Sequence, residues 1–391
     1  MNKIEVMAFP ASYGDSFFIK VNYESKEYNV LIDCGFKDTY IKYIKKELQE
    51  IKELDLLVLT HLDDDHINGA IHLLKDKKLK DQLKIKKIWF NDLYKIFKGK
   101  YRYLNDIEDD SDVLDNEFFD ENISYERAKL LCQHIIGEGY EDIWNREEGV
   151  IQCEENLYKE LYPIDDKIKF ILLSPHRNRV DKLIESWLEY YDLDIENMDF
   201  NIEEINSFYH YVSNHENISQ IFEEDCSYEL IDLEEMSKYD SNVESAVNDS
   251  SIAFFIEIDD KRMLFLGDSN PKNIEASLSS YIKENNLEKI NFDLVKISHH
   301  GSKNNTTNDL FNLLQSKKYL ITTNGNKFSH PDVECISKII TKQKEYKELI
   351  FNYNIRDIEK ILDEEQLKEQ YKYGIKMPKI DDEIKATLIE I

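Results

Sequence analysis

The apolar run Leu54–Leu59 stops abruptly at Thr60-His61-Leu62-Asp63-Asp64-Asp65-His66, and this junction constrains the chain more than any other stretch. A buried strand that ends in a cluster of His and Asp fixes the backbone, and the short turn after it aims several ligands at one point. His61 and Asp63 are two apart, and Asp65 and His66 are adjacent. Side chains at that spacing converge only on a tight turn or on a turn that enters a helix. Residues 67–75 read as that helix. Three Asp in a row would by themselves be a solvated acidic turn; His on both sides moves the reading to a metal site.

The flanking pattern extends this into a fold. Residues 3–34 alternate as strands (IEVMAF, SFFIKVNY, EYNVLIDC), with a loop at Pro10–Asp15 and a hairpin turn at Tyr23–Glu27. Residues 39–53 have helical period, and strands are predicted at 54–59 and 85–91. Strand character resumes at 167–174, at 251–258 and at 261–268. A helix over 271–286 leads to a strand over 292–298 that ends in His299-His300-Gly301-Ser302. A helix at 308–315, a strand at 318–325, a helix at 332–346 and strands at 348–353 and 384–391 complete the pattern. Both halves run strands first and then αβ units. The predicted class is therefore α/β, a four-layer αβ/βα sandwich with a site between its two sheets. The expected organisation is an N-terminal half over 1–92 and a C-terminal half over 246–391. An acidic, mostly helical insertion is expected over 93–245, built around the scaffold strand at 167–174.

Charge narrows the partners. The 391 residues carry a formal charge of −29, which argues against generic affinity for nucleic acid or anionic membrane. A nuclease is not excluded, because bound cations or a local basic patch can seat phosphate. Asp106–Glu121 holds nine acidic residues and no basic one, and Leu183–Ser237 holds sixteen without Lys or Arg. Such runs read first as solvated faces. The alternative is a surface for a protein partner or a second copy, to which Tyr190, Tyr191, Tyr209 and Tyr211 would contribute. No apolar run reaches membrane-spanning length and the N-terminus lacks a signal pattern, so no membrane association is expected. Cys34, Cys132, Cys153, Cys226 and Cys335 are scattered, without CxxC spacing. They read as reduced thiols, and a cytoplasmic location is expected.

Three predicted strands end in ligand types: at His61, at Gly267-Asp268 and at His299-His300. Functional residues of αβ folds gather at the carboxyl ends of strands. This ordered set resembles the metallo-β-lactamase fold superfamily, in particular the hydrolase domain of the competence protein ComEC and its stand-alone relatives. The matching pieces are Tyr13-Gly14-Asp15-Ser16, Leu31-Ile32-Asp33-Cys34-Gly35, Thr60 to Gly69, Asn248-Asp249-Ser250-Ser251, Leu266-Gly267-Asp268, Lys296 to Ser302, and Asn324-Gly325 through His330-Pro331. They cover about residues 1–92 and 245–353.

The resemblance implies a fold, a cofactor and roles. His61 and Asp63 would bind one divalent ion, Asp65 and His66 a second, and Asp268 would bridge them. His299 or His300 would complete a shell, His330 would lie at the rim or add a ligand, and Asp33 would orient the turn. The superfamily's commoner signature has His where Asp63 stands. His134 and His176 are the candidates for a further imidazole, and each reads more simply as an ordinary surface or helix residue. An oxygen-rich set shifts preference toward Mn²⁺ or Mg²⁺, with Zn²⁺ still open. Two such ions about 3.5–4 Å apart could share a water as hydroxide and polarise an ester or phosphoryl oxygen. Asp65 would accept a hydrogen bond from that nucleophile, and His300, His330 or Lys296 would steady developing charge or protonate the leaving oxygen. Ser302 reads equally as a site hydroxyl or a cap. Lys303, Asn304 and Asn305 are candidates for phosphate contact, while Thr306 and Thr307 read as caps. The expected function is a metal-dependent hydrolase, foremost a phosphodiesterase acting on DNA or another nucleic acid. A hydrolase of a small phosphoester, cyclic nucleotide, lactone or thioester is the alternative, and a partner-binding subunit of a multi-protein (for example defence) system is a third reading.

Overall fold

The computed structural model describes residues 3–97, 121–190, 232–379 and 384–391. The acidic run 106–120, the greater part of 183–237, Tyr191, Tyr209, Tyr211 and Cys226 lie outside the described residues. No described helix is long and apolar enough to cross a membrane.

Fourteen strands make two sheets. β1 (Lys3–Ala8), β2 (Phe17–Tyr23), β3 (Lys26–Ile32), β4 (Leu56–Val58) and β5 (Ile88–Trp89) belong to the first. β6 (Lys159–Leu161), β7 (Lys169–Ser174), β8 (Ala253–Ile258), β9 (Lys261–Phe265), β10 (Leu294–Lys296), β11 (Lys318–Ile321), β12 (Lys347–Phe351) and β13 (Tyr373–Lys376) form the second. β14 (Thr387–Glu390) returns to the first, so the orders are β14-β1-β2-β3-β4-β5 and β13-β12-β11-β10-β9-β8-β7-β6. In each sheet an antiparallel portion hands over to a parallel one: β3, β4 and β5 run parallel, as do β9 through β13.

Period-2 alternation decides which side chains meet. Phe17, Ile19 and Val21 face the second sheet, whereas Phe18 faces outward. Phe170, Leu172, Phe254, Ile256, Met263 and Phe265 answer from the other side, and Trp89 packs edge-on against Phe170 and Phe254 at 5.6 and 6.3 Å. Helices cover both outer faces. On the first sheet lie a helical segment over 37–49, α1 (Asp64–Lys75), α2 (Glu121–Gly137) and α3 (Arg177–Tyr190). On the second lie α4 (Pro271–Glu284), α5 (Asn308–Leu313) and α6 (Val333–Lys342), which bury Ile274, Leu278, Phe311, Ile336 and Ile340. The result is the expected four-layer αβ/βα sandwich.

Details depart from the sequence expectation for identifiable reasons. The expected strand 54–59 is broken at Asp55, whose buried carboxylate accepts from the Asn29 N–H at 2.8 Å and pairs with Lys86 at 2.8 Å. α1 starts three residues early, because its first turn accommodates Asp64 and Asp65, and carboxylates are favoured at a helix N-terminus. Arg356–Leu362, Glu365–Tyr371 and β13 carried no sequence expectation; the two helices are short and polar, with few buried positions. The hairpin turn appears where predicted, with Glu24 and Ser25 both at positive φ (48° and 68°), as a two-residue primed turn requires.

Candidate metal centre

The carboxyl ends of β3, β4, β9, β10 and β11 open on one edge of the sandwich, and each delivers one part of the site. After β4 come His61, Asp63, Asp65 and His66. After β9 the chain turns at Gly267 (φ +52°) into Asp268. After β10, His299 and His300 take consecutive left-handed conformations, φ 45° and 55°, a costly backbone for L residues. Gly301 follows at φ +92°, and a Cβ there would lie 2.5 Å from Pro331.

All four imidazoles converge on a single atom. Nε2 of His61 lies 3.9 Å from Asp268 Oδ2, and Nε2 of His66, of His299 and of His300 each lie 3.7 Å from it. Asp63 Oδ2 is 3.4 Å from His61 Nε2. Asp65 Oδ2 is 4.0 Å from His66 Nε2 and 3.8 Å from His300 Nε2. Ligands held about 2.1 Å from a tetrahedral cation sit roughly 3.4 Å apart, so these gaps are of metal-shell size.

The outer nitrogens are engaged, which leaves the inner ones available to a cation. His66 Nδ1 lies 2.9 Å from Asp33, which can only accept, so Nδ1 carries the proton. Asp33 also accepts from the backbone N–H and the hydroxyl of Thr60, both at 2.8 Å. With its proton given to Asp33, the Thr60 hydroxyl accepts from His61 Nδ1 at 3.0 Å. His300 Nδ1 donates to the Thr322 carbonyl at 2.8 Å. His299 Nδ1 faces Asn305 Oδ1 at 2.9 Å, and the Asn305 amide nitrogen is spent on the carbonyls of Asp268 and Ser269. In its neutral form each ring therefore presents an Nε2 lone pair inward. Those of His61, His66 and His300 are buried without a hydrogen-bond partner, as is Asp268 Oδ1. Buried unsatisfied acceptors clustered in this way call for a cation.

Charge in the site follows the same geometry. Burial alone would raise Asp268, but with no cation bound, positive charge on the converging rings of His299, His300, His66 and His61 holds it well below the ordinary carboxylate range; a bound cation would supply that charge in place of the ring protons. Burial pushes Asp65 up to about 6, with Asp63 and Asp268 adding to the shift against His66 and His300. Burial, then His299 and His300, push His330 down to about 3, so its imidazole is neutral.

The remaining predicted residues take distinct places. His330 lines the cleft with its ring 5.5 Å from that of His299. Lys296 is fully buried and turned from the cleft; it pairs with Asp15 and donates to the Gly267 carbonyl at 3.4 Å. There it braces the centre from behind rather than meeting a leaving group. Ser302 Oγ accepts from the Asn304 N–H as a cap, and also lines the cleft. Thr307 caps α5. His176 is spent on the Ser277 hydroxyl at 2.8 Å. His134 lies on α2 and is not among the cleft-lining residues.

Sequence reasoning assigned no role to Asp15. Its carboxylate accepts from the Thr322 hydroxyl at 2.6 Å and lies 3.5 Å from His300 Nδ1. Asp15, His66, Asp268 and His300 offer ligand atoms all within 4.8 Å of one another. Asp15 already neutralises Lys296 and lies on the Nδ1 side of His300, away from the inward Nε2 atoms. The available signal was Lys296 itself: a lysine inside an apolar strand demands a buried carboxylate. Ser124 was also missed; from α2 it donates to Asp63 at 2.7 Å.

Two substitutions test the support of the turn. Asp33→Ala removes the acceptor of His66 and Thr60, and is expected to weaken metal affinity about 10–100-fold in a chelator competition titration. Gly14 packs on the turn itself, where a Cβ would lie 1.9 Å from the Asp65 carbonyl oxygen. Gly14→Ala is expected to cost about 1–3 kcal/mol in denaturant unfolding and to lower metal affinity with it.

No curated protein matches the chain. Among solved structures, the metallo-beta-lactamase fold protein YhfI from Bacillus subtilis aligns over 100% of each chain, at 11% identity and a TM-score of 0.39. The sequence model of the Metallo-beta-lactamase superfamily matches residues 10–123, the part that carries Asp15, Asp33 and the His61–His66 turn. Over residues 10–123 the sequence is thus similar to the Metallo-beta-lactamase superfamily.

Proposed function

We propose that the protein is a metal-dependent phosphodiesterase that acts on nucleic acid, related in kind to the ComEC hydrolase domain. The observation that carries the hydrolase reading is the convergence of four inward Nε2 atoms on one oxygen of Asp268. His61 and Asp63 would hold one divalent ion, Asp65, His66 and His300 a second, and Asp268 both, with His299 joining whichever side its ring faces on loading. The chemistry such ions supply is Lewis-acid polarisation of a phosphoryl oxygen and acidification of water. The protein's own groups do the rest. Asp33, Thr60, Thr322 and Asn305 fix the imidazole tautomers. Asp65, held ionised beside the bound ion, would accept a hydrogen bond from the attacking water and orient it. His330, neutral at the cleft wall, offers a hydrogen bond to the departing oxygen.

Phosphodiester specificity is supported by Lys303 and Lys327, which line the cleft with five carboxylates, of which Asp63, Asp65 and Asp268 would be neutralised by bound cations. The cleft volume of about 660 Å³ also suits a small phosphoester, and that is the second reading.

The test is incubation of purified protein with single-stranded DNA, duplex DNA, RNA and a small aryl phosphodiester, with Mn²⁺, Mg²⁺ or Zn²⁺ added in turn. A chelated sample and an Asp65→Ala, His66→Ala double variant serve as controls. Metal-dependent cleavage of polymer that vanishes in the double variant is expected. Turnover of the small ester alone would select the second reading, and no turnover by a metal-loaded protein would remove both.

A further inference from the structure

Among the described residues, Phe328 is the most exposed large apolar side chain, at 65%. Single exposed apolar residues are ordinary, but this one is held at the rim of the cleft by backbone. Phe328 and Ser329 both sit in the left-handed region, φ 56° and 54°, on the loop that leads to His330. The Phe328 ring is 6.0 Å from the His330 ring, and the His330 ring is 5.5 Å from that of His299. A row of rings thus runs from the rim to a nitrogen that faces Asp268. Lys327 Nζ lies 4.4 Å from the Phe328 centroid and 4.9 Å from that of Tyr13, placing an ammonium at the same rim. Lys303, also on the cleft lining, has its Nζ 5.2 Å from the Tyr239 ring. A π-face beside a lysine is the combination that holds an unpaired base and its phosphate.

We propose that the Lys327–Phe328 tip is a nucleotide subsite in which the Phe328 ring stacks on a base and Lys327 holds a phosphate next to the scissile one. Duplex bases are already stacked and cannot use such a face, so the substrate class is single-stranded nucleic acid. The identity of the scissile bond rests on the phosphodiesterase reading above; the subsite itself rests on the rim geometry.

The experiment uses the full-length, metal-loaded protein and its Phe328→Ala, Phe328→Trp and Lys327→Gln variants. Fluorescence anisotropy measures binding of a cleavage-resistant phosphorothioate single strand and of the same strand with abasic residues. Steady-state cleavage of the unmodified strands is measured alongside, and circular dichroism checks folding. Phe328→Ala is expected to weaken binding of the base-bearing strand about tenfold, to raise KM with kcat nearly unchanged, and to leave the abasic strand within twofold. Phe328→Trp restores binding. Lys327→Gln weakens both strands equally and lowers the salt slope by roughly 0.7, one phosphate's share. Equal effects of Phe328→Ala on both strands, no effect on either, or no binding by the wild type would each overturn the subsite. Phe328-dependent binding without cleavage would uphold the subsite and defeat the phosphodiesterase reading. Cleavage of single strands that is indifferent to Phe328 would do the reverse.

Discussion

Asp268→Asn is expected to abolish stable metal retention and to lower phosphodiester hydrolysis by about 10³-fold or more. The side chain keeps its shape and loses its charge, and the backbone hydrogen bonds of residue 268 to Ser251 and Asn305 are untouched. What disappears is the anion toward which four Nε2 atoms point at 3.7–3.9 Å. Lewis-acid stabilisation is worth several kcal/mol, and each 1.36 kcal/mol is a factor of ten in rate. Metal content after dialysis, read by elemental analysis, separates loss of the ion from loss of chemistry. A variant that retains full metal content and full rate would show that Asp268 does not bridge the centre.

Phe254→Ala is expected to destabilise the protein by about 4 kcal/mol in denaturant unfolding. Phe254 lies on β8, fully buried between the sheets, with its ring 5.2 Å from Phe170, 6.1 Å from Phe265 and 6.3 Å from Trp89. Rings from three strands of the second sheet and one of the first meet there, and truncation leaves a cavity that rigid strands cannot close. The candidate metal-binding residues lie at the strand ends, away from this cluster. Metal affinity of the folded variant is therefore expected to stay within about twofold by chelator competition, since distant sites act nearly independently. A loss below 1 kcal/mol would mean that the two sheets can slide to refill the gap.

Much of this was readable in the residues themselves. Strands buried on both faces, such as Leu56–Val58 and Leu294–Lys296, announce themselves as apolar runs, and a run that stops at His61 or His299 marks a ligand-bearing end. What stayed hidden depends on contacts that sequence separation conceals. Asp15 is one acidic residue among many until Lys296 and Thr322 are seen to close around it. Ser124 reaches Asp63 from a helix whose periodicity gives no hint of its direction. Asn305 looks like a loop residue, and only its two backbone acceptors show that its oxygen is left for His299. The pairing partner of β14 was likewise invisible, because the alternation that identifies a strand does not say beside which strand it lies.

β14 pairs antiparallel with β1, Glu5 opposite Glu390, while nearly all the chain between them is spent on the rest of both sheets. On a ribosome that adds about 5–20 residues per second, β1 and β2 are therefore available tens of seconds before the strand that closes their outer edge. Throughout that interval β1 offers a row of unpaired N–H and C=O groups to any neighbouring nascent chain. Lys3 and Glu5, charged and alternating along β1, are well placed as gatekeepers for the wait. The order of manufacture, and not only the finished fold, thus has a stake in two of the first five residues.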